Sequence, residues 1–441
     1  MIYIVADDLT GANDTGAQFA KKGYRTIVLI LEDRLPEMFF TDNYDVVVLD
    51  TETRNVDEKT ARNRLNKILE GLHISKEDIV YKKIDSTLRG NIGAEIEEIM
   101  KIFGKKVCIL SPSFPSHQRA TLGGYLLMQK KVIEESEYSE NLYEKKKDSY
   151  IPFVLAKQTN LQVGHIDISD VEKGQPAILN RISELVKEKK QIIIVDSNND
   201  ENLQDIVSGG LKYRDSVLFS GSAGLANYLA KSHEHEYTIV EQKSEKSPVL
   251  IIGGSRNPVM VSQIEYIKNN MNFNEIKIDI SQIFKHKNQL ILDYGYESLK
   301  ILKNNKDLII YTNAIENEEK SINNKIMQKY KISYRDLENS IKEAFGTLAA
   351  YLVNGSNVRN LILTGGDIAL SVCKELDICK LQILDELLPG IPLARASYKK
   401  QNLNIVTKAG GFGQEDVLYK LINKFQNYFE NTTTVETMGE D

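Results

Sequence analysis

The stretch IYIVADDLTGANDTG, residues 2–16, joins a short apolar run to two aspartates and a glycine turn. The run over residues 2–6 is rich in β-branched side chains and too short for a buried helix, so it predicts a buried strand. Residues 12–22 carry apolar side chains at helical spacing and predict the helix that follows. A strand that runs through a polar turn into a helix opens a βαβ unit. It places Asp7 and Asp8 at the carboxyl end of the strand, where ligands bind in open α/β sheets.

The same pattern of strand, turn and helix recurs along the chain. Short apolar runs alternate with amphipathic stretches of about 10–15 residues, which is typical of parallel sheets covered by helices on both faces. The further apolar runs lie at residues 27–31, 46–50, 79–84, 107–111, 192–196, 217–220, 249–253, 276–280, 308–312, 361–364 and 403–408. The sequence therefore predicts an α/β fold of two doubly wound, mainly parallel-sheet domains with an interdomain cleft.

A polar, charged stretch near the middle of the chain marks the expected domain boundary. Residues 233–247, HEHEYTIVEQKSEKS, show no apolar stripe at helical spacing, and a new strand follows Pro248. Each side of this stretch is long enough to bury a core of its own. We predict a first domain over residues 1–235, a linker over 236–248, a second domain over 249–428 and a frayed tail over 429–441.

Composition excludes several classes of protein. The 441 residues include 56 Lys and Arg against 62 Asp and Glu, a net charge of −6, and such an acidic chain is a poor nucleic-acid binder. The three cysteines form no CxxC pair, which argues against a disulfide framework and against structural zinc. No run of about 18 uncharged apolar residues is present and the start lacks a basic lead, so we expect a soluble cytoplasmic protein without a membrane partner.

The two aspartates of the opening stretch admit two interpretations. Adjacent carboxylates at a strand end are costly unless something positive meets them, so Asp7 and Asp8 could form a polyol or metal site. In the alternative, Asp8 only caps the following helix and Asp7 is solvated, with Thr10 or Asn13 as other candidate caps. The residues alone leave both interpretations open.

Arginines follow two further predicted strands. Arg89 stands beside Gly90 in a polar turn that begins at Asp85, and its planar guanidinium matches a carboxylate or a phosphate. Asp85 could hold a sugar hydroxyl or pair with Lys83, and a plain surface ion pair is the alternative for this segment. Arg119, in the proline-bounded loop after the next strand, would be a second anion ligand.

Glycine-rich turns join strands to helices three times in the second half. They are GGSRNP at residues 253–258, TGGD at 364–367 and KAGGFG at 408–413. Small residues at a helix N-terminus expose backbone N–H groups, which bind anions together with the helix dipole. The chain has no Walker A sequence, and GFG lacks the third glycine of a dinucleotide fingerprint. Together the turns indicate a nucleotide held by backbone groups in the second domain.

Eight motifs, in order from residue 6 to residue 416, resemble the motif series of the four-carbon acid sugar kinases. They read ADDLTGANDTG, KKIDSTLRGNIGAE, PSFPSHQRATLGG, SGSAGLA, GGSRNPVMVSQ, LTGGDIAL, PGIPLARA and KAGGFGQED. The resemblance implies an N-terminal sugar-acid-binding domain and a C-terminal ATP-binding domain. The activity it implies is ATP-dependent phosphorylation of the terminal hydroxyl of threonate, erythronate or a 2-oxotetronate. One departure is Gln118, where the family usually has glycine before the arginine, and it leaves the individual substrate open.

The resemblance also implies roles for single residues. Arg89 and Arg119 would bind the substrate carboxylate, while Asp8 and Asp85 would hold its hydroxyls. Mg²⁺ would bridge the phosphates and keep mostly water and phosphate ligands. The residues expected to bind ATP are Ser255, Thr364, Gly365, Gly366, Asp367, Gly410 and Gly411.

Some questions stay open at the level of the sequence. The catalytic base is Asp367, Asp8 or no protein group, because a loose phosphoryl-transfer transition state asks little of a base. A non-catalytic sugar-acid sensor is the alternative function. A nicotinamide-dependent dehydrogenase is disfavoured, since the chain has no G-x-G-x-x-G turn with an acid about 20 residues on. The expected partner is a small sugar acid, and a homodimer is left open.

Overall fold

Two α/β units make up the chain, Met1–Tyr237 and Thr238–Asp441. The computed structural model describes residues 1–31, 43–72, 74–135, 148–232, 247–254, 258–283, 291–312 and 319–428, and the side chains of all of them except 258 and 319–323. In this part of the chain no helix combines the length and the apolar character needed to cross a membrane.

The first unit contains a parallel sheet and a small antiparallel one. Their strands are β1 (Ile2–Ala6), β2 (Thr26–Ile30), β3 (Val46–Asp50), β4 (Ile79–Lys83), β5 (Val107–Ser111), β6 (Arg119–Leu122), β7 (Tyr125–Met128), β8 (Lys131–Val132), β9 (Val163–Ile166), β10 (Ile192–Val195) and β11 (Val217–Gly221). Within the described residues the large sheet has the order β2-β3-β1-β4-β11-β5-β10-β9, with all of these neighbours parallel. Strands β6 to β8 pair antiparallel in a separate sheet.

Helices of the first unit cover the parallel sheet with apolar faces. They are α1 (Leu9–Ala20), α2 (Glu58–Leu69), α3 (Ile92–Ile102), α4 (Ile151–Ala156), α5 (Ile168–Val171), α6 (Gln175–Lys187), α7 (Asp200–Gly210) and α8 (Ala223–Lys231). In α6 the buried residues are Ile178, Ile182 and Leu185, spaced four and three apart on one face. The strands are buried on both sides, which explains their continuous apolar runs.

The second unit has a mixed sheet. Its strands are β12 (Val249–Gly253), β13 (Asn274–Ile278), β14 (Leu308–Thr312), β15 (Asn360–Thr364), β16 (Lys380–Leu388), β17 (Ile391–Tyr398) and β18 (Gln401–Lys408). Among the described residues their order is β13-β14-β12-β15-β18-β17-β16. The first five strands of that order are parallel, whereas β18, β17 and β16 form an antiparallel meander.

Helices of the second unit follow the parallel strands. They are α9 (Pro258–Asn270), α10 (Ile280–Ile283), α11 (Tyr296–Lys303), α12 (Glu319–Tyr330), α13 (Tyr334–Gly355), α14 (Gly366–Glu375) and α15 (Val417–Tyr428). A capping box between Ser333 and Asp336 starts α13, satisfying two backbone donors that the helix itself leaves unpaired. Leu418, Leu421 and Phe425 of α15 pack into this unit's core.

The predicted α/β fold with mainly parallel sheets is confirmed, and several local predictions are wrong. Helix α1 begins at Leu9, not at residue 12, because Asp8 caps it: the Asp8 carboxylate accepts the Gly11 N–H at 2.9 Å. Thr10 and Asn13, the other candidate caps, lie inside the helix. The sequence prediction also omits β6 to β9, β16 and β17.

Candidate functional site

The carboxyl ends of three neighbouring parallel strands bring the predicted polar residues of the first unit together. Ala6 of β1 is in register with Asp50 of β3 and with Lys83 of β4. Residues that follow these three strands therefore meet at one edge of the sheet. They form what we call the carboxylate cluster, which consists of Asp7, Asp8, Asp85 and Arg54.

Arg54 is the centre of the carboxylate cluster. Its Nη2 and Nε atoms bind the two Asp7 oxygens at 2.7 and 3.1 Å, and its Nη1 atom binds Asp8 Oδ2 at 2.5 Å. The same Nη1 lies 3.6 Å from Asp85 Oδ1, and the Arg54 side chain is only 9% exposed. Asp7 is therefore buried in an ion pair, and the alternative in which Asp7 is solvated is wrong.

Arg54 is the member of the carboxylate cluster that the sequence analysis missed. It follows β3 in the turn TETR, residues 51–54, which has the same strand-and-polar-turn pattern as the segments that were singled out. Applying the strand-end rule to β3 would have found it. Which residues Arg54 contacts depends on the order of the strands in the sheet, and the sequence of a single turn does not indicate that order.

Charge and burial act against each other at the carboxylates of the cluster. Burial disfavours ionised Asp7, but Arg54 and then Lys82 outweigh it and lower the Asp7 pKa. Burial likewise opposes ionised Asp85, yet Arg89 and Arg54 hold its pKa well below its usual value. Both groups are therefore carboxylates at neutral pH.

Asp50, at the end of β3, behaves in the opposite way. Burial raises its pKa well above the usual value, and the neighbouring carboxylates of Glu52 and Asp8 raise it further. Asp50 is fully buried. Its Oδ1 accepts the Glu52 N–H at 3.3 Å. The raised pKa favours the neutral carboxyl of Asp50, which adds no negative charge beside the cluster.

Arg89 lies at the solvent side of Asp85. Its Nε and Nη2 atoms donate to the two Asp85 oxygens at 2.9 and 2.8 Å, a bidentate pair. The Arg89 side chain is 40% exposed while that of Asp85 is buried. Lys83 instead donates to the Ile84 carbonyl at 2.8 Å, so the suggested Lys83–Asp85 pair is wrong. Arg89 is thus held in place by Asp85 with part of its guanidinium facing outward.

Glycines leave room beside the cluster. A Cβ atom at Gly11 would stand 2.6 Å from Asp8 Oδ1 and 3.0 Å from Lys83 Nζ. Gly90 has φ +89, and a Cβ there would lie 3.0 Å from Asp7 Oδ2. Side chains at either position would displace charged groups, so these glycines are required by close approach and, at Gly90, by the left-handed backbone.

Arg119 stands on a different sheet, as the first residue of β6. Its backbone pairs with Phe114 through two hydrogen bonds of 3.0 and 3.1 Å, and the side chain is half-buried. Gln118, just before it, has φ 55 and ψ 37, in the left-handed region. The buried carboxylate of Asp196 accepts the N–H groups at 123 and 124, in the turn that ends β6. An approach of Arg119 to the carboxylate cluster stays a prediction.

Strands β12, β15 and β18 of the second unit bring glycine-rich turns to one sheet edge. Thr364 is in register with Gly253 on one side and with Lys408 on the other, and the Gly365 N–H donates to the Lys408 carbonyl at 2.8 Å. The turns after β15 and β18 are therefore in direct contact. Ser255 lies outside the described residues, so the structure says nothing of its predicted role.

The turn after β15 starts α14. Gly365 has φ +98, a backbone conformation that favours glycine, and Gly366 is the first helical residue. Thr364 is buried and its hydroxyl donates to the Ile252 carbonyl at 3.3 Å. Asp367, in the first turn of α14, pairs with Lys342 Nζ at 3.1 Å, and its side chain is 54% exposed. The N-terminus of this helix is thus open around an accessible carboxylate.

A cavity lies beside the turn after β18. Its volume is about 430 Å³, which is in the range of small-molecule sites. Val259, Ser262 and Tyr266 of α9 line one side, and residues 413–416 line the other. The turn that carries Gly410 and Gly411 therefore continues directly into the cavity wall.

Two family models match the chain: a sugar-binding N-terminal domain at residues 2–229 and a nucleotide-binding C-terminal domain at residues 250–418. A D-threonate kinase of Salmonella typhimurium is 28% identical over 420 residues, covering 95% of this chain and 96% of its own. A D-erythronate kinase of Heliobacterium modesticaldum is 25% identical, covering 98% of both chains. A 3-oxo-tetronate kinase of Salmonella typhimurium is 24% identical, covering 96% of this chain and 99% of its own. The chain belongs to the four-carbon acid sugar kinase family.

As a member of this family the chain is an enzyme, a phosphotransferase with an alcohol group as acceptor. Solved structures support the fold. A Salmonella typhimurium LT2 protein at 22% identity has a TM-score of 0.80, covering 95% of this chain and 98% of its own. A Haemophilus influenzae protein at 21% identity has a TM-score of 0.72, covering 96% of this chain and 100% of its own.

The structure thus gathers part of the predicted site in each unit of this family member. In the first unit, Asp8, Asp85 and Arg89 lie at one sheet edge with Arg54. In the second, the turns at residues 364–367 and 408–413 adjoin each other. Across the residues that the structure describes, no three His, Cys, Asp or Glu side chains are grouped as metal ligands.

Proposed function

We propose that this kinase transfers the γ-phosphoryl group of ATP to the terminal hydroxyl of a four-carbon acid sugar such as threonate, erythronate or an oxotetronate. The observation that carries the proposal is the carboxylate cluster. It places carboxylate acceptors for hydroxyl groups beside the partly exposed Arg89 guanidinium, which suits an acid, at the sheet edge where α/β proteins bind ligands. The family's sugar-binding model covers this region, and the names of the relatives support the substrate class.

At the substrate end of the site, Arg89 is the main residue proposed to bind the acid. Asp85 fixes the guanidinium by two hydrogen bonds and leaves it partly exposed, so Arg89 is oriented before an acid binds. Arg119 would add a second cation. A charge-assisted hydrogen bond contributes about 1.5–3 kcal/mol. Two guanidinium groups therefore account for most of the preference for an acid over a neutral sugar.

The hydroxyl groups of the sugar would be held by Asp8 and Asp85. Three neighbouring carboxylates would normally repel an anionic substrate. Arg54 reduces that repulsion because it is shared by Asp7 and Asp8 and lies next to Asp85. Arg89, paired with Asp85, offsets a further negative charge at the same sheet edge.

The nucleotide end of the site is in the second unit. The backbone amides of Gly366, Gly410 and Gly411 suit phosphate oxygens, since they stand at strand ends and at a helix N-terminus. The Gly365 N–H is hydrogen-bonded to the Lys408 carbonyl, so Gly365 would contribute through its left-handed backbone, which shapes the turn. Thr364 and Ser255 complete the set implied by the family. ATP supplies the phosphoryl group, and Mg²⁺ fits a site of this kind because it needs few protein ligands beside water and phosphate.

The base that receives the hydroxyl proton is Asp367 in this proposal. Asp8 is fixed by the Gly11 N–H and by Arg54, and its remaining lone pairs are assigned to holding a sugar hydroxyl. Asp367 is more than half exposed, and Lys342 orients it. A weak base at a helix N-terminus is sufficient, because the loose transition state of phosphoryl transfer asks little of the base.

The remaining parts of the proposal concern cell context. We place the enzyme in the cytoplasm, where its thiols stay reduced; Cys108 and Cys373 are buried, and neither forms a disulfide. A homodimer is a further prediction, which the mass of the purified protein in solution tests.

The experiment that tests the proposed function is an ADP-release assay with Mg-ATP. The panel contains D- and L-threonate, D- and L-erythronate, and the 2-oxo and 3-oxo tetronates, with glycerol as an acceptor that lacks the carboxylate. We expect ADP release with at least one acid and none with glycerol. Silence across the panel from folded protein, together with measurable binding of an acid, would support a sensor instead.

A further inference from the structure

Lys408 is a buried lysine that points into its own glycine-rich turn. Its side chain is fully buried at the end of β18. The Nζ atom donates to the carbonyls of Ala409, Gly410 and Phe412 at 3.0, 3.4 and 3.0 Å. Three acceptors match the three protons of an ammonium group. The lysine therefore holds the start of the turn from within.

Gln263 of α9 holds the rest of the same turn. It is fully buried, and its Nε2 atom donates to the carbonyls of Phe412, Gly413 and Gln414 at 3.0, 3.3 and 3.1 Å. Lys408 and Gln263 together bind five of the six carbonyls between residues 409 and 414. Neither side chain belongs to the set of residues implied by the family.

These carbonyl contacts determine where the amides of the turn point. The structure has no cis peptide bond among its described residues, and in a trans peptide the C=O of one residue and the N–H of the next point in opposite directions. Because the Ala409 and Gly410 carbonyls face Lys408, the N–H groups of Gly410 and Gly411 face away from it. Within the described part of the chain these two N–H groups donate to no protein acceptor.

Burying the Lys408 amine lowers the stability of the folded chain, so we expect the turn to require it. Burial lowers the pKa of Lys408 to about 7, and no charged side chain of the described residues contributes to that shift. An amine without a carboxylate partner in such a place opposes folding when it is protonated. An apolar side chain would avoid this cost but would leave three carbonyls without a donor.

We propose that Lys408 and Gln263 are positioning residues for nucleotide binding, which turn the carbonyls of residues 409–414 inward and thereby present the Gly410 and Gly411 amides to phosphate oxygens. The inference rests on the proposed function, because it assigns phosphate to the turn after β18. It adds two side chains that would not touch ATP and would act only through the backbone.

The test compares nucleotide and acid kinetics in the full-length chain. Lys408→Met removes the ammonium at similar side-chain length, Lys408→Arg keeps a charged donor, and Gln263→Leu removes the second clamp. Lys424→Met is the matched control, since Lys424 also donates to a backbone carbonyl of this unit, but to that of Leu387 at 3.0 Å, which lies outside the turn. Thermal unfolding of each variant establishes that it is folded.

We expect the KM for ATP to rise about tenfold or more in Lys408→Met and Gln263→Leu, as the loss of oriented amide contacts to a charged group implies. The KM for the acid should stay within about twofold, Lys408→Arg should recover part of the ATP affinity, and Lys424→Met should match the unmodified chain. Unchanged ATP affinity in folded Lys408→Met, or equal rises in both KM values, would overturn the proposal. If Lys408→Met does not fold, Gln263→Leu decides by the same criteria.

Direct binding separates this inference from the proposed function. Displacement of a fluorescent ATP analogue by ADP measures the nucleotide affinity of the chain in the absence of an acid and of turnover. If the unmodified chain binds nucleotide but releases no ADP with any acid, the proposed function fails and the positioning role is still tested. If the chain binds no nucleotide at all, both fail.

Discussion

At the scale of single residues, Arg54 connects the aspartates of the carboxylate cluster by ion pairs. Its guanidinium binds Asp7 and Asp8 and lies near Asp85, and burial opposes its charge while Asp7, Asp8 and Asp85 raise its pKa well above the usual value. In the proposed function it offsets part of the negative charge of the aspartates that would face an anionic substrate. Nothing in the turn TETR itself indicates these partners, because they come from β1 and β4.

Replacing Arg54 by methionine tests this role. The substitution leaves the buried Asp7 carboxylate without its main partner, and we expect a loss of about 3–5 kcal/mol in the free energy of unfolding. Urea unfolding measures it. Arg25→Met is the control, since Arg25 forms a similar bidentate pair with Asp45 at 51% exposure and should cost about 1 kcal/mol or less. Equal losses in the two variants would contradict the account.

The family usually has glycine at the position of Gln118. The backbone there is in the left-handed region, which favours glycine. The left-handed conformation costs a non-glycine residue about 1–2 kcal/mol, while glycine loses about 0.5–1 kcal/mol more entropy on folding. We expect Gln118→Gly to stabilise the protein slightly, by about 0.5 kcal/mol, in thermal unfolding. Gln382→Gly, in β16 at ordinary backbone angles, should destabilise it, and a loss of similar size at both positions would count against this explanation.

At the scale of elements, most of the short parallel strands could be predicted, whereas β9 and the antiparallel strands β16 and β17 could not. Strands such as β3 and β10 are buried on both faces, so all of their residues except Asp50 are apolar and the run is visible in the sequence. In β16 buried and exposed residues alternate at its start, and Pro392 in β17 argues against a strand in the interior of a sheet. The proline is accommodated next to register shifts near Glu386.

Strand β4 shows a second limit of local patterns. Lys82 and Lys83 look like a polar strand end, but Lys82 is fully buried and pairs with the buried Glu95 of α3 at 2.6 Å. We expect Lys82→Met and Glu95→Leu each to cost about 3–5 kcal/mol, because each leaves a buried charge alone. The double variant should cost clearly less than the sum, as measured by a double-mutant cycle in urea. Additive losses would show that the pair is not coupled.

At the scale of the whole molecule, buried carboxylates of opposite behaviour shape the response to acid. Asp7 and Asp85 have lowered pKa values, so their stabilisation is present above about pH 4 and is lost as the pH falls through their folded-state values. Asp50 has a raised pKa, so the folded state binds its proton first and gains stability as the pH falls towards 3.8, the ordinary value.

The melting temperature measured between pH 3 and 8 checks this balance. We expect Asp50→Asn to reduce any rise in stability between neutral pH and about pH 4, and to leave the loss at lower pH in place. The control is Asp57→Asn, at an exposed helix cap, which should leave the upper part of the profile unchanged. An unaltered profile in Asp50→Asn would contradict the assignment of a protonated Asp50.

The sequence predicts some contacts of the candidate site and not others. The strand-end rule places Asp8, Asp85 and Arg89 at one edge, and the structure brings them together. The positions of Arg54, Lys82 and Lys408 relative to their partners follow from sheet order and from helix packing over long sequence distances. Such contacts are not encoded in any window of ten or twenty residues.

The central claim is that guanidinium groups of the first unit bind the acid while backbone amides of the second bind ATP. Steady-state kinetics of Arg89→Ala, with Arg25→Ala as control, tests it most directly. We predict that kcat/KM for the preferred acid falls about a hundredfold, as expected for the loss of a bidentate charged contact, while the affinity for the fluorescent ATP analogue changes by less than about twofold. Equal loss of acid turnover and of nucleotide affinity in folded Arg89→Ala would contradict the claim.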